Sequence, residues 1–464
     1  MVWTLLPSSF SPFTFNRHRH RVSAPANMLS SAITPVLPPE LLESILDEVG
    51  YSNDTQTLRA CALVCSTFVH RSQGHLFRAV DLDKRIPRCQ YYLRFHNLLV
   101  SNPHIGTYVR YFRLGDDSED DYGQARGRRG MGGSSWIAHA KTLPQTLGLL
   151  PRLEGFSLTF NSEMTDWNDI PAETRVALEH VFSLPSLRGV SLEFITFFPP
   201  KLLSSFARLK YLGLSCVETV FTYPPDPQYT IYDSHLESIF LRGTPPSTIS
   251  TISESLIFSC HSSVQKLSIT PTFEPGFCET INNLIKSPVA SSLTTFEWLP
   301  SVHFSSSIGP IDLSPLHNLR SLKFVVSFRR TQHSPFCQVL RLLGQLTFQP
   351  NLVEQITLEC YFLRLPRYTN PKDIDAPQRE GRSPSTNLSP MEWHAVDKLL
   401  SKSAYRSLKK VKIELTPNVV VGTDEHVQVV FQRLFPELSK RGVSVLVRVE
   451  SLKDERFLLE GCGH

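Results

Sequence analysis

One pattern constrains the fold of this sequence more than any other feature: an apolar residue is followed, three and five positions later, by two more. Between residues 187 and 319 successive units begin 22 to 29 residues apart. Such a period is typical of small supersecondary units that stack in a row and share one core. Ten copies occur, at Val109-Phe112-Leu114, Leu153-Phe156-Leu158, Leu187-Val190-Leu192, Leu209-Leu212-Leu214, Leu236-Ile239-Leu241, Val264-Leu267-Ile269, Leu293-Phe296-Trp298, Leu319-Leu322-Phe324, Val353-Ile356-Leu358 and Leu408-Val411-Ile413.

The spacing within each unit indicates a β-strand. Its second and third apolar residues lie two positions apart, so both side chains point to the same face of a strand, and the first enters the core at the preceding turn. Residues 443–449 alternate like one last strand, and helical spacing follows several units, over 171–182, 250–258, 279–285, 335–346 and 391–401. Strand and return helix, repeated, predict an α/β fold: a curved leucine-rich-repeat-like solenoid with a parallel sheet on its inside.

A short helical unit precedes the repeats. Pro38 and Glu40 suit a first helical turn, where proline is tolerated and an acidic residue matches the helix dipole. Apolar residues at helical spacing then run from Leu42 to Val49, and Gly50 ends the helix. The sequence therefore predicts an amphipathic first helix.

A second helix, capped by Asn53 or Asp54, is apolar on two faces. Val64 and Phe68 lie off its main stripe, and such a helix must be covered twice, once by its own domain and once by something else. The main stripe is Leu58, Cys61, Ala62, Cys65 and Val69. A third short helix carries Leu76 and Phe77, and a strand begins at Val80 and Leu82.

These residues resemble the F-box motif. The match runs Leu37-Pro38-x-Glu40-Leu41-Leu42-x-x-Ile45-Leu46, then Leu58 with Val64-Cys65, then Leu76-Phe77. The continuation Arg78-Ala79-Val80-Asp81-Leu82 resembles the junction to a degenerate leucine-rich-repeat-like domain in many fungal F-box proteins. Two features depart from the family: Phe68 stands where many F-boxes carry tryptophan, and the segment 50–57 is longer than in the tightest examples.

The resemblance implies a function. An F-box buries an exposed apolar helical face against the Skp adaptor of a cullin-based (SCF-type) ubiquitin ligase, and the repeat domain binds a protein substrate. The chain itself would do no chemistry and would act by raising effective concentration. The residues implied in adaptor binding are Leu37, Pro38, Leu41, Ile45, Val64, Phe68 and Leu76, whereas Leu42, Leu46, Leu58 and Cys61 are expected in the unit's core.

The domain organisation follows from these patterns. We predict a disordered arm over residues 1–34, the F-box over 35–82 and the solenoid over 83–464. Met28 is an alternative start of the chain. Mobile loops are expected near 116–135, which is acidic and then rich in Gly and Arg, and near 364–390, which contains Ser383-Pro384 and Ser389-Pro390. Phosphorylation by a proline-directed kinase is one hypothesis for these serines.

The repeat also predicts which side chains face away from the core, at the fifth and seventh positions of each unit. On the concave side these fifth and seventh positions include three basic and four acidic residues. Phosphate binding favours clustered arginines, so we do not expect substrate recognition to depend mainly on phosphate. The middle of this row is the predicted substrate-binding site, with an aromatic and arginine anchor. Its residues are Phe240, Arg242, Glu297, Leu299 and Lys323.

Other functional classes find little support. Nucleophile-elbow, zinc-protease and Walker-type motifs are absent, and the glycines of 127–133 do not follow an apolar strand, so we expect no catalytic residues, cofactor or metal. The net charge of +4 argues against a nucleic-acid surface, and the lack of a long apolar run argues against a membrane span. Nine scattered cysteines indicate buried thiols in a reducing compartment, cytoplasmic or nuclear.

Two alternatives to the F-box adaptor stay open. A repeat scaffold that binds proteins outside ubiquitination would carry the same solenoid, but it would have no reason to expose the face of Val64 and Phe68. An enzyme of an unrecognised class is the second alternative.

Overall fold

The computed structural model of the chain is a mixed α/β fold built on one large parallel sheet. It describes residues 38–52, 54–82, 88–116, 135–160, 164–202, 208–220, 235–254, 263–272, 274–299, 311–328, 336–347, 350–362, 390–417 and 424–449. The predicted arm, Leu37, Ser383, Ser389 and nearly all of the two predicted loops lie outside these residues.

Thirteen strands form the sheet in the described part of the chain. Twelve follow one another in the order of the sequence, each parallel to the next, and only β4 lies off this path, paired with β5. Their bounds are β1 Ala79–Asp81, β2 Tyr111–Gly115, β3 Gly155–Thr159, β4 Thr165–Asp166, β5 Gly189–Phe198, β6 Tyr211–Thr219, β7 Ser238–Arg242, β8 Lys266–Thr270, β9 Thr295–Trp298, β10 Ser321–Phe328, β11 Gln355–Phe362, β12 Lys410–Pro417 and β13 Ser444–Val449.

The curvature predicted from the repeat is wrong, because the sheet is open and not curled. Curvature of a stacked sheet requires return segments wider than the spacing of its strands. The return between β8 and β9 carries the ten-residue helix Phe277–Lys286 beside the single turn Val289–Ser292, so small return helices do not by themselves account for the open sheet.

The apolar pattern of the repeats is confirmed as the core of the sheet. All thirty apolar positions of the ten units are at most 4% exposed. The register explains this burial, because the fourth positions pair in one continuous row from Phe112 to Val411 and the sixth positions pair in a second row from Leu114 to Ile413. One face of every strand therefore supplies two rows of side chains to a single core.

Helices fill the returns. Their bounds are α1 Pro39–Tyr51, α2 Thr55–Val64, α3 Ser66–Leu76, α4 Arg88–Ser101, α5 Pro103–Gly106, α6 Trp136–His139, α7 Leu143–Gly148, α8 Ala172–Phe182, α9 Pro246–Ile252, α10 Phe277–Lys286, α11 Val289–Ser292, α12 Phe336–Gln345, α13 Pro390–Leu400, α14 Asp424–Arg433 and α15 Pro436–Lys440. The helices predicted at 171–182, 279–285, 335–346 and 391–401 are confirmed as α8, α10, α12 and α13. The one predicted at 250–258 begins earlier, at Pro246, and 255–258 lie outside the described residues.

The predicted second helix of the N-terminal unit is wrong in its extent. It ends at Val64, where Cys65 adopts an extended backbone with φ −156° and ψ 163°, and a separate helix begins at Ser66. Val, Cys, Ser and Thr are all weak helix formers, so the run from Val64 to Thr67 favours such a break. Val64 and Phe68 thus lie on two helices and not on one face of a single helix.

The helical unit is joined directly to the sheet. Helix α3 ends at Leu76 and β1 begins three residues later, and the Arg78 carbonyl accepts hydrogen bonds from the backbone N–H groups of Arg110 and Tyr111 at 2.8 and 3.0 Å. The ring of His70 on α3 lies 5.0 Å from that of Tyr108 in an edge arrangement. These contacts fix the helical unit to the first two strands.

The core role of the repeat positions can be tested at Leu322, which is fully buried on β10. The change Leu322→Ala is expected to lower the free energy of unfolding by about 2–5 kcal/mol, because it removes buried methyl groups and leaves a cavity. Denaturant unfolding measures this loss. The neighbouring Ser321→Ala should change stability by less than about 0.5 kcal/mol, and equal effects of both changes would contradict the assignment.

Candidate functional site

The helical unit carries a set of large apolar side chains that its own core does not cover. Leu41 and Ile45 on α1 are 51% and 53% exposed, and Leu63 and Val64 at the end of α2 are 75% and 69% exposed. In contrast, Leu46 and Leu58 of the same unit are buried. Several exposed large apolar side chains on one small unit are typical of a surface that is buried against another molecule. We call Leu41, Ile45, Leu63 and Val64 the helical apolar surface.

The other four residues predicted for adaptor binding differ in how exposed they are and in whether the structure describes them. Pro38 is exposed, Phe68 and Leu76 are partly buried, and Leu37 lies outside the described residues. Leu63 was missed by the sequence analysis, although its position off the stripe of Leu58 and Cys61 is a signal that could have found it.

Charged contacts join α1 to α3, and a carboxylate caps α2. The Asp47 carboxylate on α1 accepts hydrogen bonds from the Arg71 guanidinium on α3 and lies 2.7 Å from Nε2 of His75. The Asp54 carboxylate caps α2 by accepting from the backbone N–H of Thr57 at 3.0 Å. The hydrogen bond from Arg71 lowers the pKa of Asp47, and that from His75 adds to the shift, against the effect of burial.

A second candidate surface is the row of side chains on the other face of the strands. The register places Glu297 beside Lys323, and Lys323 beside Thr357, on neighbouring strands. Arg242 is exposed, whereas Glu297, Leu299 and Lys323 are partly buried. The structure therefore brings Glu297, Leu299 and Lys323 together around β9 and β10, and it places Arg242 two strands away on β7.

Lysine–glutamate pairs dominate the row from β8 to β12. Lys266 Nζ lies 2.8 Å from a carboxylate oxygen of Glu297, Lys323 Nζ lies 2.7 Å from Glu359, and Lys412 pairs with Glu414. In the three pairs the lysine side chains are 40%, 31% and 22% exposed, against 15%, 18% and 12% for their carboxylates. This half of the face consequently presents ammonium groups above partly buried carboxylates.

The pKa of Lys323 reflects this arrangement. Burial alone would lower the pKa of the Lys323 amine, but the charge and hydrogen bond of Glu359, together with the charges of Glu297 and Glu414, raise it above its ordinary value. Lys323 therefore remains protonated, and it acts as a fixed positive charge and not as a proton donor or base.

Phe240 does not have the role predicted for it in the substrate site. Its side chain is 3% exposed, so it does not offer the aromatic anchor that the repeat pattern predicted. The register places it between Gly213 on β6 and Ser268 on β8. Arg242, two residues further on, stays exposed.

The structure offers a different exposed aromatic residue, Phe197 near the end of β5. It is 50% exposed and has a φ of 53°, and Phe194 on the same strand has a φ of 61°. Positive φ is rare for bulky residues, and here it accompanies a shift of register between Ile195 and Phe198. The sequence analysis missed Phe197 because the run of apolar residues after Leu192 looks like an uninterrupted strand.

No chemistry-bearing cluster was found in the described part of the chain. No group of three or more His, Cys, Asp or Glu there could hold a metal ion, and none of the helices described is long and apolar enough to cross a membrane. Of the seven described cysteines, Cys360 is buried, four are partly buried, and Cys65 and Cys337 are exposed. The expectation of buried thiols is therefore confirmed for Cys360 and wrong for Cys65 and Cys337.

A scan of family models finds no match to this chain, and a search of curated proteins finds no similar sequence. The site must be interpreted from its own geometry.

The ion pair at Asp47 predicts a dependence of stability on pH. Because the folded pKa of Asp47 lies below its unfolded value of 3.8, the stabilising effect is complete above that value and is lost as pH falls through the folded pKa. At neutral pH, Asp47→Asn should lower the free energy of unfolding by about 1 kcal/mol, since the pair is partly exposed. Urea unfolding of both proteins should show this difference shrinking below about pH 4; a difference independent of pH would contradict it.

Proposed function

We propose that the chain is a substrate-recognition adaptor of a cullin-based, SCF-type ubiquitin ligase. Its helical unit would act as an F-box that docks on a Skp-type adaptor, and its sheet would act as a leucine-rich-repeat-like solenoid that binds a protein substrate. The observation that carries the proposal is the helical apolar surface, which leaves four large side chains more than half exposed on a unit in which Leu46 and Leu58 are the buried apolar residues described.

The energetics of docking favour this use of the surface. Full burial of a large aliphatic side chain contributes about 1.5–3 kcal/mol. Four half-exposed side chains would together contribute several kcal/mol, which is comparable with the cost of association. A stable complex therefore depends on all four, and loss of one should be felt strongly.

The sheet supports the solenoid part of the proposal. Consecutive parallel strands, each followed by its own return segment, are typical of stacked repeats, in which every unit contacts only its neighbours. Doubly wound enzymes instead reverse their strand order at a switch point, and ligands bind there. The path from β1 to β13 has no such reversal among the described strands, which supports stacked repeats over a doubly wound fold.

A repeat scaffold outside ubiquitination remains the second candidate. It explains the sheet equally well, but it gives no reason for the helical apolar surface at the start of the solenoid. The adaptor proposal accounts for both surfaces, with one partner on the helices and another on the strands, as substrate delivery requires.

The substrate surface is proposed on the strand face around Arg242, Glu297, Leu299 and Lys323. Phe197 on β5, two strands from Arg242, is proposed as a further contact in place of Phe240. The glutamates there are neutralised by lysines, and these lysines are point charges without the planar fork that binds phosphate bidentately. Recognition that does not depend mainly on phosphate therefore remains the proposal.

The adaptor half is tested by Val64→Asp in the full chain. The charge would be buried in an apolar contact, so affinity for a Skp-type adaptor should fall about 100-fold or more, measured by calorimetry with purified adaptor. Val176→Asp on α8 is the matched control, since Val176 is 65% exposed but lies outside the helical unit. Equal adaptor affinity of a folded Val64→Asp protein and the control would refute docking at this surface.

The substrate half is tested by Phe197→Asn. Asparagine tolerates positive φ, so relief of about 1 kcal/mol of strain should offset the apolar burial lost from a half-exposed ring. Thermal stability should therefore change by less than about 1 kcal/mol, while capture of proteins from cells with a blocked proteasome should be lost and adaptor binding kept. Unchanged capture, identified by mass spectrometry against the parent protein, would remove Phe197 from the substrate surface.

A further inference from the structure

The last strand of the sheet, β13, presents a pairing edge. Its inner side pairs with β12, and among the described residues no strand follows it along the path. The sequence Ser444–Val449 contains three valines and one leucine, with no proline and a single charge. Such an edge is a template for addition of a strand from another molecule.

The backbone groups that face away from β12 can be identified. The Ser444 N–H donates to the Lys409 carbonyl at 3.0 Å, so Ser444 and Leu446 face β12. In a parallel pair the orientation alternates along the strand, so Val445 and Val447 face outward. One residue of an added parallel strand would donate its N–H to the Val445 carbonyl and accept from the Val447 N–H.

The side chain of Gln428 on α14 makes both of these bonds. Its Nε2 donates to the Val445 carbonyl at 2.9 Å, and its Oε1 accepts from the Val447 N–H at 2.6 Å. A primary amide has the same donor and acceptor as a peptide group, so Gln428 occupies the position that the peptide of a next strand would take. Glutamate at this position would keep the acceptor but lose the donor.

We propose that Gln428 closes the β13 edge against strand addition by a second copy of this chain. The second copy is the natural competitor because every molecule presents the same valine-rich edge, and two copies related by a two-fold axis would pair these edges antiparallel. Removal of the amide would leave an outward carbonyl at Val445 and an outward N–H at Val447, and both would be satisfied by another strand. The inference is independent of ubiquitin-ligase function.

The experiment compares Gln428→Leu with Gln432→Leu in the full chain. Gln432 lies one turn further along α14 and is exposed, so its variant adds the same leucine without opening the edge. In sedimentation velocity the parent and Gln432→Leu should remain monomeric, whereas Gln428→Leu should associate as concentration rises. Equal behaviour of the two variants, whether both monomeric or both associated, would overturn the proposal.

Hydrogen exchange provides a second measurement. At low concentration the Val447 amide should exchange about tenfold faster in Gln428→Leu, because its acceptor is gone, and it should regain protection in the associated state. If Gln428→Leu fails to fold, Gln428→Glu, which keeps the length and the acceptor, is assessed in the same way. Monomeric Gln428→Glu with parental exchange at Val445 and Val447 would likewise overturn the proposal.

Discussion

The structure depends on one constraint, the parallel backbone ladder that brings equivalent positions of successive repeats side by side. Each strand contributes two core side chains, and the ladder aligns them into rows that run from Phe112 to Val411 and from Leu114 to Ile413. No single return helix could cover its own strand without these neighbours. Burial of the core and the position of the helical unit both follow from that alignment.

The same ladder explains which parts of the fold could be predicted from the sequence. The buried positions of the repeats were predictable because their pattern is local and the ladder repeats it. The burial of Phe240 was not, since its neighbours across the strands, Gly213 and Ser268, are remote in sequence and are brought beside it only by the register. Helix α4 carried a usable signal in Tyr92, Phe95 and Leu99, which lie at helical spacing and are buried, although no repeat pattern drew attention to it.

Pairing across strands also decides how the charged residues behave. On the strand face, Lys266, Lys323 and Lys412 each have a glutamate partner, two of them on a neighbouring strand. A count of charges in the sequence shows near balance, but it cannot show that the lysines lie above the carboxylates. The electrostatic character of this face depends on which charged side chains are exposed, and not on its composition alone. Phe197 likewise emerged only from the structure, because the register shift between Ile195 and Phe198 depends on pairing with β6.

The joint between the helical unit and the sheet links the two proposed surfaces. Because β1 follows α3 directly and pairs with β2, the helical apolar surface is held at one end of a ladder whose strands lie about 4.8 Å apart. Five steps separate β1 from β7 and eight separate it from β10, so Arg242 and Lys323 lie about 24 and 38 Å along the sheet. A rigid joint of this kind fixes the distance between two partners, whereas a flexible linker would only set their average separation. An adaptor that works by positioning its partners gains from a fixed distance between them. The continuity of α3 and β1 therefore matters as much to the proposed function as either surface does.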